Sequence, residues 1–142
     1  MQIKRYLTAH GEMIKMVEVV RVNLREGIIT GNARGKELKF YRGNPHSTEY
    51  LLAGLGGCLA FFLKTVGEKR GYSFNSDLEV GSKIESNRFS SIDVDLYIYG
   101  NAELEKNKKE IDTIVRLAEK LCVIKNAIAT PINVKIHVGK RA

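Results

Sequence analysis

Glu49–Lys64 reads EYLLAGLGGCLAFFLK. Between Tyr50 and Val66 the only charge is Lys64, so the segment reads as a core helix, apolar nearly all round and covered on more than one side. Ser47 or Thr48 can cap it, and Glu49 complements the dipole of the first turn. Lys69, Arg70 and Gly71 form a cationic last turn followed by a C′ glycine, which sets the helix at about Thr48 to Arg70. Gly54, Gly56 and Gly57 crowd the residues just before Cys58. Each glycine costs a helix interior about 1 kcal/mol relative to alanine. Close approach of another backbone or a substrate to the sulfur would account for them; so would tight packing alone.

Strands are expected on both sides of this helix. MIKMVEVVRVNL (Met13 to Leu24) is rich in valine and reads as a strand. GIITGNARGKELKFY (Gly27 to Tyr41) reads as two short strands around a turn at Gly31-Asn32. Arg42 to Ser47 has turn chemistry, with Pro45 biasing Asn44 away from helix. Ser91 to Gly100 alternates cleanly: Ile92, Val94, Leu96 and Ile98 face one way, and Asp93, Asp95, Tyr97 and Tyr99 the other. Asp77 to Glu85 has the same period and pairs with it. Glu103 to Cys122 reads as a second helix with Ile111, Ile114, Val115, Ala118, Leu121 and Cys122 on one apolar stripe. INVKIHV (Ile132 to Val138) is a final strand. No repeat or linker interrupts the order, which is α+β in a single domain, 1–142.

A chain of 142 residues buries enough surface to fold without a disulfide or a metal. Hydrophobic residues make up 44% and charged residues 27%, a soluble globular balance. No apolar run is read as approaching the ~20 residues that span a bilayer, so no membrane partner is expected. The opening MQIKRYLTAHGEM lacks an apolar signal region. Two cysteines 64 residues apart then point to a reducing, cytoplasmic setting. The net charge of +7 is spread along the chain with no basic run, which argues for a solvated surface over a nucleic-acid site. His10, His46 and His137 are scattered, and neither CxxC nor HExxH occurs, so no metal is expected. His46 could line a site or simply sit in its loop; His137 falls off the apolar face of its strand. P-loop, dinucleotide and GxSxG signatures are absent, and no cofactor is expected.

That leaves the cysteines. Cys58 and Cys122 both fall on core-facing helical positions, so two packed helices could bring them together. A free cysteine also packs like a small hydrophobe, and both readings stand at this point. As a nucleophile a cysteine acts as its thiolate, and Cys58 lies beyond the first turn where a helix dipole acts. A nearby arginine, charged even when partly buried, is the physical requirement.

STEYLLAGLGGCLAFFLKTVGEKRG (Ser47 to Gly71) resembles the cysteine helix of the OsmC-like proteins, whose pattern is close to P-x-E-L-L-L-A-A-L-G-G-C. AEKLCVIKNAI (Ala118 to Ile128) resembles their second cysteine segment. The resemblance covers most of the chain. It implies antiparallel sheets packed around a long central apolar helix, in an intertwined homodimer with active sites at the subunit interface. It also implies a thiol-dependent peroxidase. Cys58 matches the peroxidatic cysteine that attacks a hydroperoxide, Cys122 matches the resolving cysteine that closes a disulfide, and an external dithiol regenerates both. An arginine and a glutamate support the first cysteine in the organic hydroperoxide branch. LREG (Leu24 to Gly27) makes Arg25 the first choice for the arginine, with Arg42 in reserve.

Two departures accompany the match. The hydroperoxide branch has its glutamate ten residues before the cysteine, where this chain has Thr48; Glu49 is one residue later, about 100° around the helix. Val123 stands where the second motif usually has proline. Phe61, Phe62, Leu55 and Tyr50 would wall an apolar substrate site or simply form core. The rival reading is a non-catalytic module binding nucleic acid or a small apolar ligand. A family member using its thiols on another substrate is a third.

Overall fold

A computed structural model describes the backbone of Lys4–Leu7 and Met13–Met16 and every residue from Val20 to Ala142. The elements run β1 (Lys4–Leu7), β2 (Met13–Met16), β3 (Val20–Arg25), β4 (Ile28–Ala33), β5 (Lys36–Lys39), α1 (Ser47–Lys69), β6 (Asn75–Glu85), β7 (Arg88–Tyr99), α2 (Ala102–Glu105), α3 (Lys108–Leu121), α4 (Val123–Ala127) and β8 (Ile132–Val138). The stretch read as one strand from Met13 to Leu24 holds β2 and most of β3; 17–19 lie outside the described residues. The chain forms two compact units, Met1–Glu49 and Tyr50–Ala142.

In the first unit β1 pairs with β2, and β3, β4 and β5 form an antiparallel sheet in that order. Its turns correct the expected one. Gly31-Asn32 is not a turn: Gly31 sits in mid-strand, paired with Val22 and Leu38. A Cβ there would come within 3.2 Å of the Arg21 carbonyl oxygen and of the Phe40 ring, so this glycine serves close packing. The reversals fall at Glu26-Gly27 (φ 50° and 76°) and Arg34-Gly35 (φ 53° and 77°), left-handed pairs suited to two-residue hairpins. Asn32 instead shapes the turn that follows, its Oδ1 accepting the Gly35 N–H at 3.1 Å.

The second unit is built on α1 and the sheet β6-β7-β8. β6 and β7 pair antiparallel as expected, through a two-residue turn at Ser86-Asn87. β8 departs from the all-antiparallel expectation: it lies parallel to β7, Ile92 opposite Ile132 and Ile98 opposite Val138. Parallel neighbours need a long crossover, and here α2, α3 and α4 supply it. The expected single helix from Glu103 to Cys122 breaks in two. Asn101 caps α2 by accepting the Leu104 N–H (3.0 Å), and Asn107 caps α3 by accepting the Glu110 N–H (3.1 Å). An asparagine side chain competes for backbone donors, so a new cap ends the first helix where the apolar period alone would carry it on.

α1 buries one side of itself: Leu55, Leu59, Leu63 and Val66 are at most 6% exposed. Each such leucine contributes about 1.5–3 kcal/mol of burial, so together they outweigh the propensity lost to three glycines. The ladder Ile92, Val94, Leu96 and Ile98 of β7 is at most 1% exposed, and Leu104, Ile111, Ile114, Val115 and Ala118 close the core from α2 and α3. The helix ends as its composition requires. Tyr72 N–H donates to the Gly67 carbonyl (2.8 Å), Gly71 N–H to the Glu68 carbonyl (3.1 Å), and Gly71 has φ 86°. Arg70 then grips Glu110 of α3 bidentately, Nη2 to Oε2 at 3.0 Å.

Two expectations about α1 change. Its other side is open among the described residues, with Leu51 at 41% and Phe61 at 61% exposure, where cover on several faces was expected. By length and composition alone, the 23-residue helix is also apolar enough to cross a membrane, contrary to the reading that no run approaches that length.

Candidate active site

Cys58 lies on the seam between the two sides of α1. At helical spacing its neighbours are Gly54 and Phe61 on the open side and Leu55 and Phe62 towards the core. Cys58 is half-buried as a result. The three preceding glycines have different jobs. A Cβ on Gly56 would come within 3.2 Å of Val80 Cγ2 on β6, so this glycine allows close helix–sheet packing. A Cβ on Gly54 or Gly57 would meet nothing within 4 Å. Those two positions carry no side chain beside a reachable sulfur.

Cys122 is positioned quite differently. It is the hinge of the crossover, ending α3 and starting α4. Its N–H donates to the Ala118 carbonyl (3.0 Å), while its Sγ accepts the Lys125 N–H at 3.4 Å and so caps α4. The residue is completely buried, packed with Leu55, Leu59, Ile92 and Val94, and Cys58 packs against the same cluster. The Cys58 side chain is close enough to Cys122 to act on its thiol. Both are free thiols.

Burial pushes the Cys122 thiol above its ordinary value; the Lys125 N–H opposes that shift, and the adjacent Cys58 adds to it. The arrangement suits a pair in which the accessible sulfur reacts first and the buried one follows.

Arg25, Arg42 and Glu49 belong to the first unit, and both cysteines belong to the second. Arg25 is the last residue of β3, exposed, on the same strand face as Arg21 and Asn23. Arg42 is exposed in the turn between β5 and α1. Glu49 closes the reciprocal half of a capping box: its Oε1 accepts the His46 N–H at 2.9 Å. The role the structure assigns to this carboxylate is thus to start α1, and the role assigned to His46 is to donate its backbone N–H.

His137 lies on the outer face of β8, with Nε2 2.8 Å from Asp95 Oδ1 and its ring stacked on Tyr97 at 4.6 Å between centroids. His10 lies outside the described residues. Among the described residues, no three His, Cys, Asp or Glu side chains converge to hold a metal. Sequence reasoning missed the Lys125 N–H as a partner of Cys122. Its only signal was position, three residues after a residue able to cap a helix.

Residues 40–137 match a family model described as OsmC-like protein. No curated protein sequence matches the chain at a significant level. Several solved structures share the fold. A hypothetical protein from Aquifex aeolicus VF5 aligns with TM-score 0.75 at 17% identity, over 87% of this chain and 96% of the other. An OsmC like protein from Mycoplasma pneumoniae aligns with TM-score 0.73 at 15% identity, over 87% and 97%. The organic hydroperoxide resistance protein OhrB of Bacillus subtilis aligns with TM-score 0.64 at 11% identity, over 87% and 98%.

Proposed function

The chain belongs to the OsmC-like family, a family related to organic hydroperoxide resistance and redox proteins, and on that footing we propose that it is a thiol-dependent peroxidase for organic hydroperoxides. The observation that carries the reading is the pair itself: a half-buried Cys58 packed against the apolar cluster that holds a fully buried Cys122.

The Cys58 thiolate attacks the terminal oxygen of the hydroperoxide, the O–O bond breaks, and the alcohol leaves as Cys58 becomes a sulfenic acid. The Cys122 thiol condenses with it, forming the S–S bond and releasing water. An external dithiol then reduces the disulfide and is itself oxidised. Arg25, or Arg42 in its place, holds the Cys58 thiolate and the departing oxygen, because guanidinium stays charged where an amine would not. Glu49 would orient that arginine in addition to capping α1.

The working form is a homodimer in the reducing cytoplasm. The open side of α1 and the apolar face of β3, where Val22 is 59% and Leu24 69% exposed, support a second copy as the cover.

One equivalent of an alkyl hydroperoxide added to the reduced protein should consume both thiols and yield a disulfide. If both thiols survive, the peroxidase reading is wrong. If Cys58→Ser consumes peroxide as fast as wild type, the site is wrong.

A further inference from the structure

The cysteine pair also has the make-up of a metal site, one with two ligands only. Cys58 and Cys122 both belong to the second unit and pack in one apolar cluster with Leu55, Leu59, Ile92 and Val94. The Cys58 side chain is close enough to Cys122 to act on its thiol. Both thiols are free. The pair lies within one chain and one unit, so it takes no ligand from a second copy.

The surroundings of the pair decide which ion it takes. Among the described residues, no three His, Cys, Asp or Glu side chains converge, and no polar or charged side chain is buried. Zinc in a structural site takes four ligands, and the apolar side chains around Cys122 offer neither an imidazole nor a carboxylate to complete such a set. Calcium and magnesium want oxygen. That leaves soft ions satisfied by two thiolates. Charge then chooses among these, because an uncompensated charge is costly among leucines and isoleucines. Cuprous ion between two thiolates keeps a net negative charge. A divalent ion between two thiolates is neutral and suits the enclosure. The Lys125 N–H, 3.4 Å from Cys122 Sγ, is a backbone donor that supports a ligating thiolate.

We propose that Cys58 and Cys122 also form a two-coordinate site for a soft divalent metal ion, of which mercuric ion is the type, with no third ligand. The ion forms one bond to each sulfur, any proton still on either sulfur passes to solvent, and no electron is transferred. Burial holds the Cys122 proton more tightly than usual, so binding strengthens as pH rises and that proton is more easily lost. A bare ion is smaller than an organic hydroperoxide and needs no wider opening to Cys58. Once held, it occupies both sulfurs and keeps a disulfide from closing. The site stands independently of the peroxidase reading, since it needs only the two thiols and their enclosure.

The test titrates the reduced full chain with mercuric chloride under nitrogen and counts the thiols left. Thiolate–mercury absorption in the near ultraviolet should rise and saturate at one ion per chain, with both thiols consumed. Zinc chloride added in the same way should leave both thiols free to react. Gel filtration in excess 2-mercaptoethanol should leave at least about tenfold more mercury on wild type than on Cys58→Ser or Cys122→Ala, because the second bond of a chelate forms at high effective concentration. Saturation at two ions per chain, or at one ion shared by two chains, would overturn the proposal. So would zinc that protects the thiols as well as mercury does, or equal retention by the single-cysteine variants. The titration and the zinc comparison use wild type alone, so they decide the matter even where a variant fails to fold. A chain that binds mercury in this way but keeps both thiols in the presence of an alkyl hydroperoxide would sink the peroxidase reading and leave the metal site standing.

Discussion

In β7, Ile92, Val94, Leu96 and Ile98 are 0–1% exposed; in β3, Val20, Val22 and Leu24 are 55–69% exposed. Both strands alternate apolar and polar residues, and both pair antiparallel with the hairpin partner beside them. The difference is in what lies over the apolar face. The β7 ladder meets α1, α2 and α3 within its own unit, while every residue of β3 is exposed. Alternation therefore encodes a face to be covered, and it is silent about whether the cover comes from the same chain.

The largest effect belongs to the covered sheet. Leu96→Ala leaves a cavity in the core and should cost about 2–5 kcal/mol in urea unfolding. A loss below 1 kcal/mol, read against the general scale of such cavities, would mean that this core is looser than its burial implies. Leu24→Asp on the open sheet should move chain stability by no more than about 0.5 kcal/mol. Sedimentation should instead show a dimer becoming a monomer; a wild-type monomer, or a variant that still dimerises, breaks the reading that a second copy covers β3.

The open side of α1 gives a smaller effect with a distinctive sign. Gly57→Ala adds a methyl into empty space and removes a helix-interior glycine, so the separated chain should gain about 1 kcal/mol. Measured at increasing protein concentration, that gain should shrink as the second copy docks.

The smallest effect is electrostatic. Arg70 holds the Glu110 carboxyl below its ordinary value, chiefly through the hydrogen bond between them. A carboxyl lowered in this way stabilises the fold above its unfolded value of 4.5 and loses that contribution as pH falls through the lowered one. The melting temperatures of wild type and Arg70→Gln should therefore differ at neutral pH and converge in acid.

The elements with strong periodicity were legible from sequence: α1 to within one residue at each end, β7 with its inward ladder, and the β6–β7 pairing. What escaped was set by contacts outside the period. Gly31 looked like turn chemistry, but it serves the approach of Phe40 and the Arg21 carbonyl. Asn107 looked like a polar residue on a long helix and proved to be a new cap. The parallel direction of β8 could not be read from INVKIHV, because a strand's direction depends on the crossover before it.

At the site, Cys58 lies in α1 as read but half-buried, while Cys122, read as part of the second helix, is an extended residue that caps both α3 and α4. The division of labour among the glycines required Val80, 24 positions after Gly56, to be seen beside it. The position of Glu49 in a first turn was a guide to its bond with the His46 N–H.

The parallel docking of β8 has a consequence for how the molecule comes into being. Cys122 sits in the last stretch before β8, and the 64 positions separating it from Cys58 include β6, β7 and most of the crossover. Contacts that close loops of this length, and parallel pairings above all, form late on a folding pathway. Until the crossover that β8 completes packs against α1 and β7, Cys122 has neither its apolar enclosure nor its cysteine neighbour. A chain caught before that point is a protein with two independent thiols. Timed alkylation during refolding should thus find Cys122 among the last groups to become protected, and its protection would mark the arrival of a chain competent for redox chemistry.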